Sequence, residues 1–189
     1  MKAIDHFRTI THHRLLVMKG CFAVGLYYQG LMHDLSKYSP QEFISGCKYY
    51  QGNRSPNAAE REIKGYSAAW LHHKGRNKHH HEYWVDIDKT KDYALTGIRM
   101  PVRYVIEMFM DRIAASSTYK KEAYTDRSPL EYYELEKEHI LLHERTRSQL
   151  EFLLNMLARD GEEKTFRYIR EVILKKRPLK RQPTITGRP

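Results

Sequence analysis

The sequence predicts an all-α protein. Turn signals are sparse, because only ten glycines and seven prolines occur among the 189 residues. Apolar residues recur at spacings of three and four along most of the chain, which is the helical period. Two Ser-Pro pairs, Ser39-Pro40 and Ser128-Pro129, are each followed by a glutamate in the pattern of a capping box, which is typical of a helix start.

Local signals place the boundaries of the individual helices. Helices are expected over residues 4–19, 22–36, from 40 onward, 57–74, 79–84, 100–119, 128–159 and 162–175. Asn57 with Glu60 begins the fourth helix, and the sequence Gly75-Arg76-Asn77 interrupts the chain before a short fifth one. The polar residues 86–92 predict a loop, and Gly161 ends the longest helix.

Length and composition indicate one globular domain with a basic end. Hydrophobic residues make up 41% of the chain and charged residues 30%, which is typical of a soluble, folded protein. We expect a single domain over residues 1–174 and a basic, disordered tail over 175–189. The tail has six lysines and arginines and no acid, so it supplies +6 of the net charge of +10. It could bind nucleic acid or an acidic partner, or simply keep the protein in solution.

The two cysteines and the apolar stretches indicate the compartment. Cys21 and Cys47 are too few for a disulfide scaffold or a cysteine-rich zinc site, and they fit a reducing cytosol. The most apolar stretch, residues 15–28, is too short to span a membrane and is interrupted by a lysine and two glycines. Asp5 lies where a signal peptide would be basic and then apolar. We therefore expect a cytoplasmic protein without a membrane partner.

Histidine is the unusual feature of the composition. There are eleven histidines, and seven of them lie in three groups, His12-His13, His72-His73 and His79-His80-His81. An eighth, His33, directly precedes Asp34. Imidazole and carboxylate are the usual protein ligands of zinc, iron and manganese, so the groups would form a metal site if they converge in the fold.

Helical spacing indicates which of these side chains face the interior. His13 shares a helix face with apolar residues three, four and seven positions later, whereas His12 lies on the polar side. His73 continues an apolar stripe from Ile63, and His72 lies off it. Asp111 is an acid within an apolar helix, and it needs a cation or a hydrogen-bond donor as a partner because an unpaired buried carboxylate is very costly.

The run His33-Asp34-Leu35-Ser36-Lys37 resembles the signature of the HD-domain superfamily of metal-dependent phosphohydrolases. The superfamily's order also fits, with His13 on an earlier helix, further histidines after the His-Asp pair, and a helical aspartate at Asp111. A second set of residues resembles an uncharacterised HD-like family of unknown function over about residues 13–154: His73, Asn77, His79, His80, Glu82 and Trp84. The resemblance implies an HD-domain-like helical bundle with additional C-terminal helices.

The same resemblance implies a dinuclear site for divalent metal ions, iron or manganese rather than zinc. The implied ligands are four histidines and two aspartates: His13, His33, Asp34, His73, His79 or His80, and Asp111. Asp34 would bridge the ions, with His13, His33 and Asp111 on one side and the remaining histidines on the other. The choice between His79 and His80 stays open, and a solvated histidine-rich loop is the alternative for residues 79–81.

The implied activity is hydrolysis of a phosphoester, a nucleotide or a phosphorylated metabolite, by a metal-activated water. Asp34 and Lys37 would be catalytic, with Lys37 binding the phosphate. Asn77, Glu82 and Glu107 would orient the ligands, because a metal-bound imidazole usually donates its other N–H to an acceptor. Each of these could instead be an ordinary surface residue, and Asn77 could cap the short helix after it.

Two other functions fit the sequence. HD-type di-iron oxygenases have the same ligand set and also a lysine after the His-Asp pair, so Lys37 does not distinguish them from hydrolases. A non-catalytic protein with a structural metal could instead bind nucleic acid through the tail and through tyrosine pairs such as Tyr49-Tyr50 and Tyr132-Tyr133. The leucines between residues 135 and 157 could cover the metal domain or join two copies in a homodimer.

Overall fold

A computed structural model describes residues 2–175 of the chain as a bundle of α-helices with one small sheet. The helices are α1 (Lys2–Ala23), α2 (Tyr27–Met32), α3 (Pro40–Tyr49), α4 (Pro56–Lys64), α5 (Ala68–Lys74), α6 (Val102–Lys120), α7 (Ser128–Glu136) and α8 (Glu144–Tyr168). The prediction of an all-α fold is confirmed. The predicted tail, apart from Lys175, lies outside the described residues, so its disorder and its partners stay predictions.

The segment expected to be a polar loop contains a short hairpin instead. Strands β1 (Val85–Asp88) and β2 (Ala94–Gly97) pair antiparallel, with Val85 opposite Gly97. The hairpin ends against the chain before α8, since a Cβ on Gly97 would lie 2.5 Å from the backbone nitrogen of His143. A side chain at that position would therefore push the hairpin away from the bundle.

Helices α1 and α6 form the centre of the bundle. Gly20 lets them approach closely, because a Cβ there would lie 2.8 Å from the sulfur of Met110. Val17, Ile106 and Phe109 are fully buried in this contact region. The two helices that carry His13 and Asp111 are thus fixed against each other by the hydrophobic core.

The C-terminal leucines mostly complete this core. Four leucines of α8 are buried and belong to the same apolar cluster as α1 and α6: Leu150, Leu153, Leu154 and Leu157. Leu135 on α7 is 81% exposed and lies outside that cluster.

The predicted helix over 128–159 is broken after Glu136, where the Arg147 guanidinium donates to the carbonyls of Lys137 and Ile140. These bonds satisfy loop carbonyls that would otherwise lack a partner.

The predicted helix over 57–74 is also two helices. Gly65 adopts a left-handed conformation (φ 81°) that ends α4, and the Ser67 hydroxyl accepts from the Trp70 N–H at the start of α5. The Glu60 carboxylate holds this turn, accepting from the hydroxyls of Ser67 at 2.7 Å and Ser45 at 3.0 Å and from Lys64 at 2.8 Å. The turn redirects α5, which carries His72 and His73.

Within the described residues, no helix is long and apolar enough to cross a lipid bilayer.

Cys21 is buried and Cys47 is half-buried, and neither forms a disulfide. This agrees with the expectation that disulfides do not hold this fold together.

Glu60→Gln is expected to lower the free energy of unfolding by about 2–3 kcal/mol at pH 7. Burial raises the pKa of Glu60, but hydrogen bonds from Lys64, Ser67 and Ser45 outweigh it and lower the pKa to about 2. The stabilisation is therefore present above the ordinary pKa of about 4.5 and is lost as the pH falls towards 2. Denaturant titrations of both proteins between pH 7 and pH 3 measure the difference.

Glu62→Gln is the matched control, since Glu62 is on the same helix and forms an exposed ion pair with Arg54. It should hardly change the free energy of unfolding. A difference between wild type and Glu60→Gln that does not shrink below pH 4.5 would contradict the role given to the Glu60 carboxylate.

Candidate metal centre

The sequence predicted that the His33-Asp34 pair lies on a helix. In the structure the pair lies in a turn instead. Helix α2 ends at Met32, and a short 3-10 helix spans Leu35–Tyr38. Between them Asp34 is fully buried and has a φ of 52°, which is uncommon for a residue other than glycine. Arg14 on α1 fixes the turn by donating to the carbonyls of His33 at 2.7 Å and Leu31 at 3.0 Å.

The two carboxylate oxygens of Asp34 face different histidines. Oδ1 lies 3.2 Å from Nε2 of His73 and 3.4 Å from Nε2 of His79. Oδ2 lies 3.3 Å from Nε2 of His33 and 3.8 Å from Nε2 of His13. Asp34 therefore lies between two sets of imidazoles from four separate segments of the chain.

Asp111 and His80 complete the cluster. Asp111 Oδ1 lies 2.9 Å from Nε2 of His13, and its Oδ2 lies 3.9 Å from Nε2 of His79. The ring centroid of His80 is 4.1 Å from that of His79 and 4.7 Å from that of His73. Two four-residue groups result, each with its ligand atoms within 4.8 Å of one another: His13, His33, Asp34 and Asp111; and Asp34, His73, His79 and His80.

The donor atoms of this cluster fit metal coordination. Buried side-chain atoms without a hydrogen-bond partner include Oδ1 of Asp34 and Nε2 of four histidines, His33, His73, His79 and His80. Such atoms are costly unless something pairs with them. Two ligands on one metal at about 2.1 Å are themselves about 3.0–3.4 Å apart, close to several of the distances above. The buried His/Asp cluster could therefore hold metal ions, and the two groups share Asp34.

Glutamates behind the ring of histidines orient the imidazoles. Glu107 on α6 accepts hydrogen bonds from Nδ1 of His33 at 3.0 Å and from Nδ1 of His79 at 3.2 Å. With the proton on Nδ1, each ring presents the lone pair of Nε2 to the centre of the cluster. The structure thus places Glu107 where the sequence analysis expected a residue that orients ligands.

Glu42 is the functional residue that sequence reasoning missed. Its carboxylate accepts from Nδ1 of His73 at 2.7 Å and from Nδ1 of His72 at 2.6 Å. The sequence placed Glu42 in a capping box with Ser39, but the Ser39 side chain makes no capping hydrogen bond. The available signal was His73, because an imidazole on the buried face of a helix needs an acceptor for its N–H.

Asn77 and Glu82, the other two residues predicted to orient ligands, make different contacts from those of Glu107 and Glu42. Asn77 does not cap the following short helix, whose N-cap is His80. Its amide donates to the Ser36 hydroxyl and to the carbonyl of His73, each at 2.8 Å, so it ties α5 to the turn after Asp34. Glu82 pairs with His81, with 3.3 Å between Oε2 and Nδ1.

Lys37 supplies a positive charge at the edge of the cluster. Its Nζ lies 2.6 Å from Asp34 Oδ2, and its side chain is 26% exposed, so it connects the buried carboxylate to solvent. Burial lowers the pKa of Lys37, but the charges of Asp34 and Asp111 outweigh burial and raise it. Burial in turn raises the pKa of Asp34, but His33 and Lys37 bring it well below its usual range, so the pair is ionised.

Burial, with the charges of His79 and His73, holds the pKa of His80 well below its usual value. Its imidazole is therefore neutral, the form that binds a metal ion. His79 and His80 both belong to the cluster, and which of them binds a metal ion stays a prediction.

The fold and the cluster define an all-α protein with a buried group of histidines and aspartates that could bind metal. The chain belongs to DUF5662, a family of unknown function, which it matches over residues 2–156. Every residue of the cluster lies inside that range. No curated protein and no solved structure matches the chain. The more specific resemblance to HD-domain proteins stays a prediction.

Purified wild-type protein is expected to contain about two equivalents of iron or manganese by plasma mass spectrometry. Asp34→Ala should lose both, because Asp34 belongs to both donor groups. His13→Gln should lower the metal content, whereas His12→Gln, one position away and exposed, should leave it unchanged. Equal metal content in wild type and Asp34→Ala would show that this cluster does not bind the metal.

Glu42→Gln is expected to weaken metal binding by about 10–100-fold, because the amide is a poorer acceptor for the His73 N–H. Competition with a chelating dye measures this affinity. Gln41→Ala, on the exposed neighbouring residue, is the matched control. An unchanged affinity in Glu42→Gln would mean that Glu42 only packs α3 against α5.

Proposed function

We propose that this protein is a metal-dependent hydrolase that acts on a phosphoester. The observation that carries the proposal is the position of Asp34, which is shared by two groups of buried donor atoms and lies beside the ammonium group of the partly exposed Lys37. This arrangement combines sites for two cations with a third positive charge. A dianionic phosphoryl group is a suitable ligand for such a combination.

One ion would be held by His13, His33, Asp34 and Asp111, and the other by Asp34 and the three later histidines. When bound, the ions would lower the pKa of a water molecule and neutralise charge on the phosphoryl oxygens. The donor set has nitrogen and oxygen but no sulfur, which suits iron and manganese.

The protein's own groups would position the substrate and hold the centre rigid. The Lys37 ammonium can donate to a phosphoryl oxygen while its charge stabilises the negative charge of the transition state. Glu107 and Glu42 fix the histidine rings in advance, so that little reorganisation accompanies the reaction. In the overall reaction the oxygen of water bonds to phosphorus, and the ester oxygen leaves as an alcohol.

The two other functions gain no specific support from the described residues. Tyr49 and Tyr133 are buried, which removes one member of each tyrosine pair from a base-stacking surface. Nucleic-acid binding by the tail falls outside the described residues, except for Lys175, and a homodimer stays a prediction. The di-iron oxygenase would use the same donors, so the experiment below must distinguish it.

The manganese-loaded protein is expected to hydrolyse p-nitrophenyl phosphate both in air and without oxygen. Lys37→Met should lower kcat by about 100-fold, which is the typical effect when an enzyme loses one hydrogen-bond donor to its transition state. The metal content of this variant should equal that of wild type. Release of p-nitrophenol and plasma mass spectrometry measure the two quantities.

Lys78→Met is the matched control, because Lys78 is an exposed lysine in the segment that carries the later histidines. It should keep wild-type activity. No hydrolysis of any phosphoester by the metal-loaded protein would refute the proposal. Turnover that requires both iron and oxygen would instead support the oxygenase.

A further inference from the structure

A solvent-open cavity of about 630 Å³ lies on the surface, outside the metal-binding cluster. Its walls come from the first half of α1, the C-terminal end of α6 with the turn after it, and the segment that follows α3. The side chains used below are Arg8, Thr9, Tyr50, Ser117, Lys121 and Glu122. Neither the metal-binding groups nor the proposed chemistry makes use of any of them.

The cavity begins within two helical turns of the cluster. Thr9 is one turn before His13 on α1, and Thr118 is two turns after Asp111 on α6. At 1.5 Å per residue these offsets correspond to about 6 Å and about 10 Å along the helices. Because His13 and Asp111 contact each other, the same pair of helices lines both the cluster and the cavity.

The polar groups of the cavity suit an anion on a hydroxylated scaffold. The Tyr50 hydroxyl is 2.7 Å from that of Thr9, and Ser117 adds a further hydroxyl. Arg8 and Lys121 are exposed cations, and across residues 2–175 neither forms an ion pair with a carboxylate. Glu122 is the one acid in the lining, so the lining has a positive balance.

Lys121 also has a strained backbone, with φ 51° and ψ −121° directly after α6. This region is unfavourable for a residue with a side chain, and such strain tends to occur where a ligand is held. The Lys121 ammonium is therefore held at the edge of the cavity by a backbone conformation that costs free energy.

We propose that this cavity binds a second anionic group of the substrate. The substrates would then be hydroxylated phosphoesters that carry another phosphate or a carboxylate about 8 Å or more from the reacting phosphorus, since Arg8 is five residues before His13 and Lys121 is ten after Asp111. The inference rests on the proposed function, because the cluster and Lys37 would bind the phosphate that reacts. The cavity would select the substrate through charge and hydroxyl contacts.

Two probes that differ at one end test this selection. Sorbitol 6-phosphate and 6-phosphogluconate have the same linear, hydroxylated carbon chain, and only the second has a carboxylate opposite the phosphate. Isothermal titration calorimetry of the manganese-loaded protein gives the Kd of each, and an initial-rate KM replaces Kd for a probe that is hydrolysed. We expect 6-phosphogluconate to bind at least about tenfold more tightly, as one charge-assisted contact predicts.

The double variant Arg8→Gln/Lys121→Gln is expected to reduce this preference to about twofold or less, with sorbitol 6-phosphate binding unchanged. Lys19→Gln is the matched control, since it removes an exposed cation from α1 outside the cavity and should keep the full preference. A wild-type protein without the preference, or a preference that survives in the double variant, would overturn the inference. Failure of both probes to bind would do the same.

These outcomes differ from those that test the hydrolase. A protein that shows the charge-dependent preference but hydrolyses no phosphoester would keep the anion-binding cavity and lose the proposed activity. Hydrolysis of p-nitrophenyl phosphate without the preference would keep the activity and overturn the cavity's role.

Discussion

The buried carboxylate of Asp34 is the constraint on which the rest of the structure depends. An ionised group without access to water is tolerated only when opposite charges or donors surround it. Asp34 is fully buried, and the groups around it come from α1, from its own turn, from α5 and from the segment after α5. The fold must bring four distant parts of the sequence within a few ångströms of one side chain.

The charge around Asp34 explains why metal ions suit the cluster. Asp34, Asp111, Glu107 and Glu42 contribute four negative charges and Lys37 one positive charge, which is an excess of carboxylates. Burial lowers the pKa of His33 and His73, but the charge of Asp34 outweighs burial and raises both, so this excess already draws protons to the imidazoles. In a medium of low dielectric constant such an excess strongly favours cations. The same excess explains why the glutamates lie behind the imidazoles, where they stabilise Nδ1–H and do not block the centre.

The sequence predicted most of the helices. Helical spacing placed His13 and His73 on inward faces and found Asp111 among apolar neighbours, whereas the other candidate ligands came from the resemblance to HD-domain proteins. The sequence did not predict the turn at Asp34, since a positive φ at a residue other than glycine is uncommon and the preference of aspartate for it is only a weak signal. Glu42 fitted a capping box equally well, and only the packing of α3 on α5 shows its contact with His73. The break after Lys64 had a local signal in Gly65, which ends α4, whereas the break after Glu136 depends on contacts from Arg147, a residue of the next helix.

Glu107 couples the orientation of one imidazole in each of the two donor groups. One carboxylate accepts from His33, which belongs to the first donor group, and from His79, which belongs to the second. Fixing either ring therefore fixes the carboxylate, and the carboxylate then fixes the other ring. In the proposed dinuclear centre, ordering of one donor group by an ion would therefore also order an imidazole of the other group in advance.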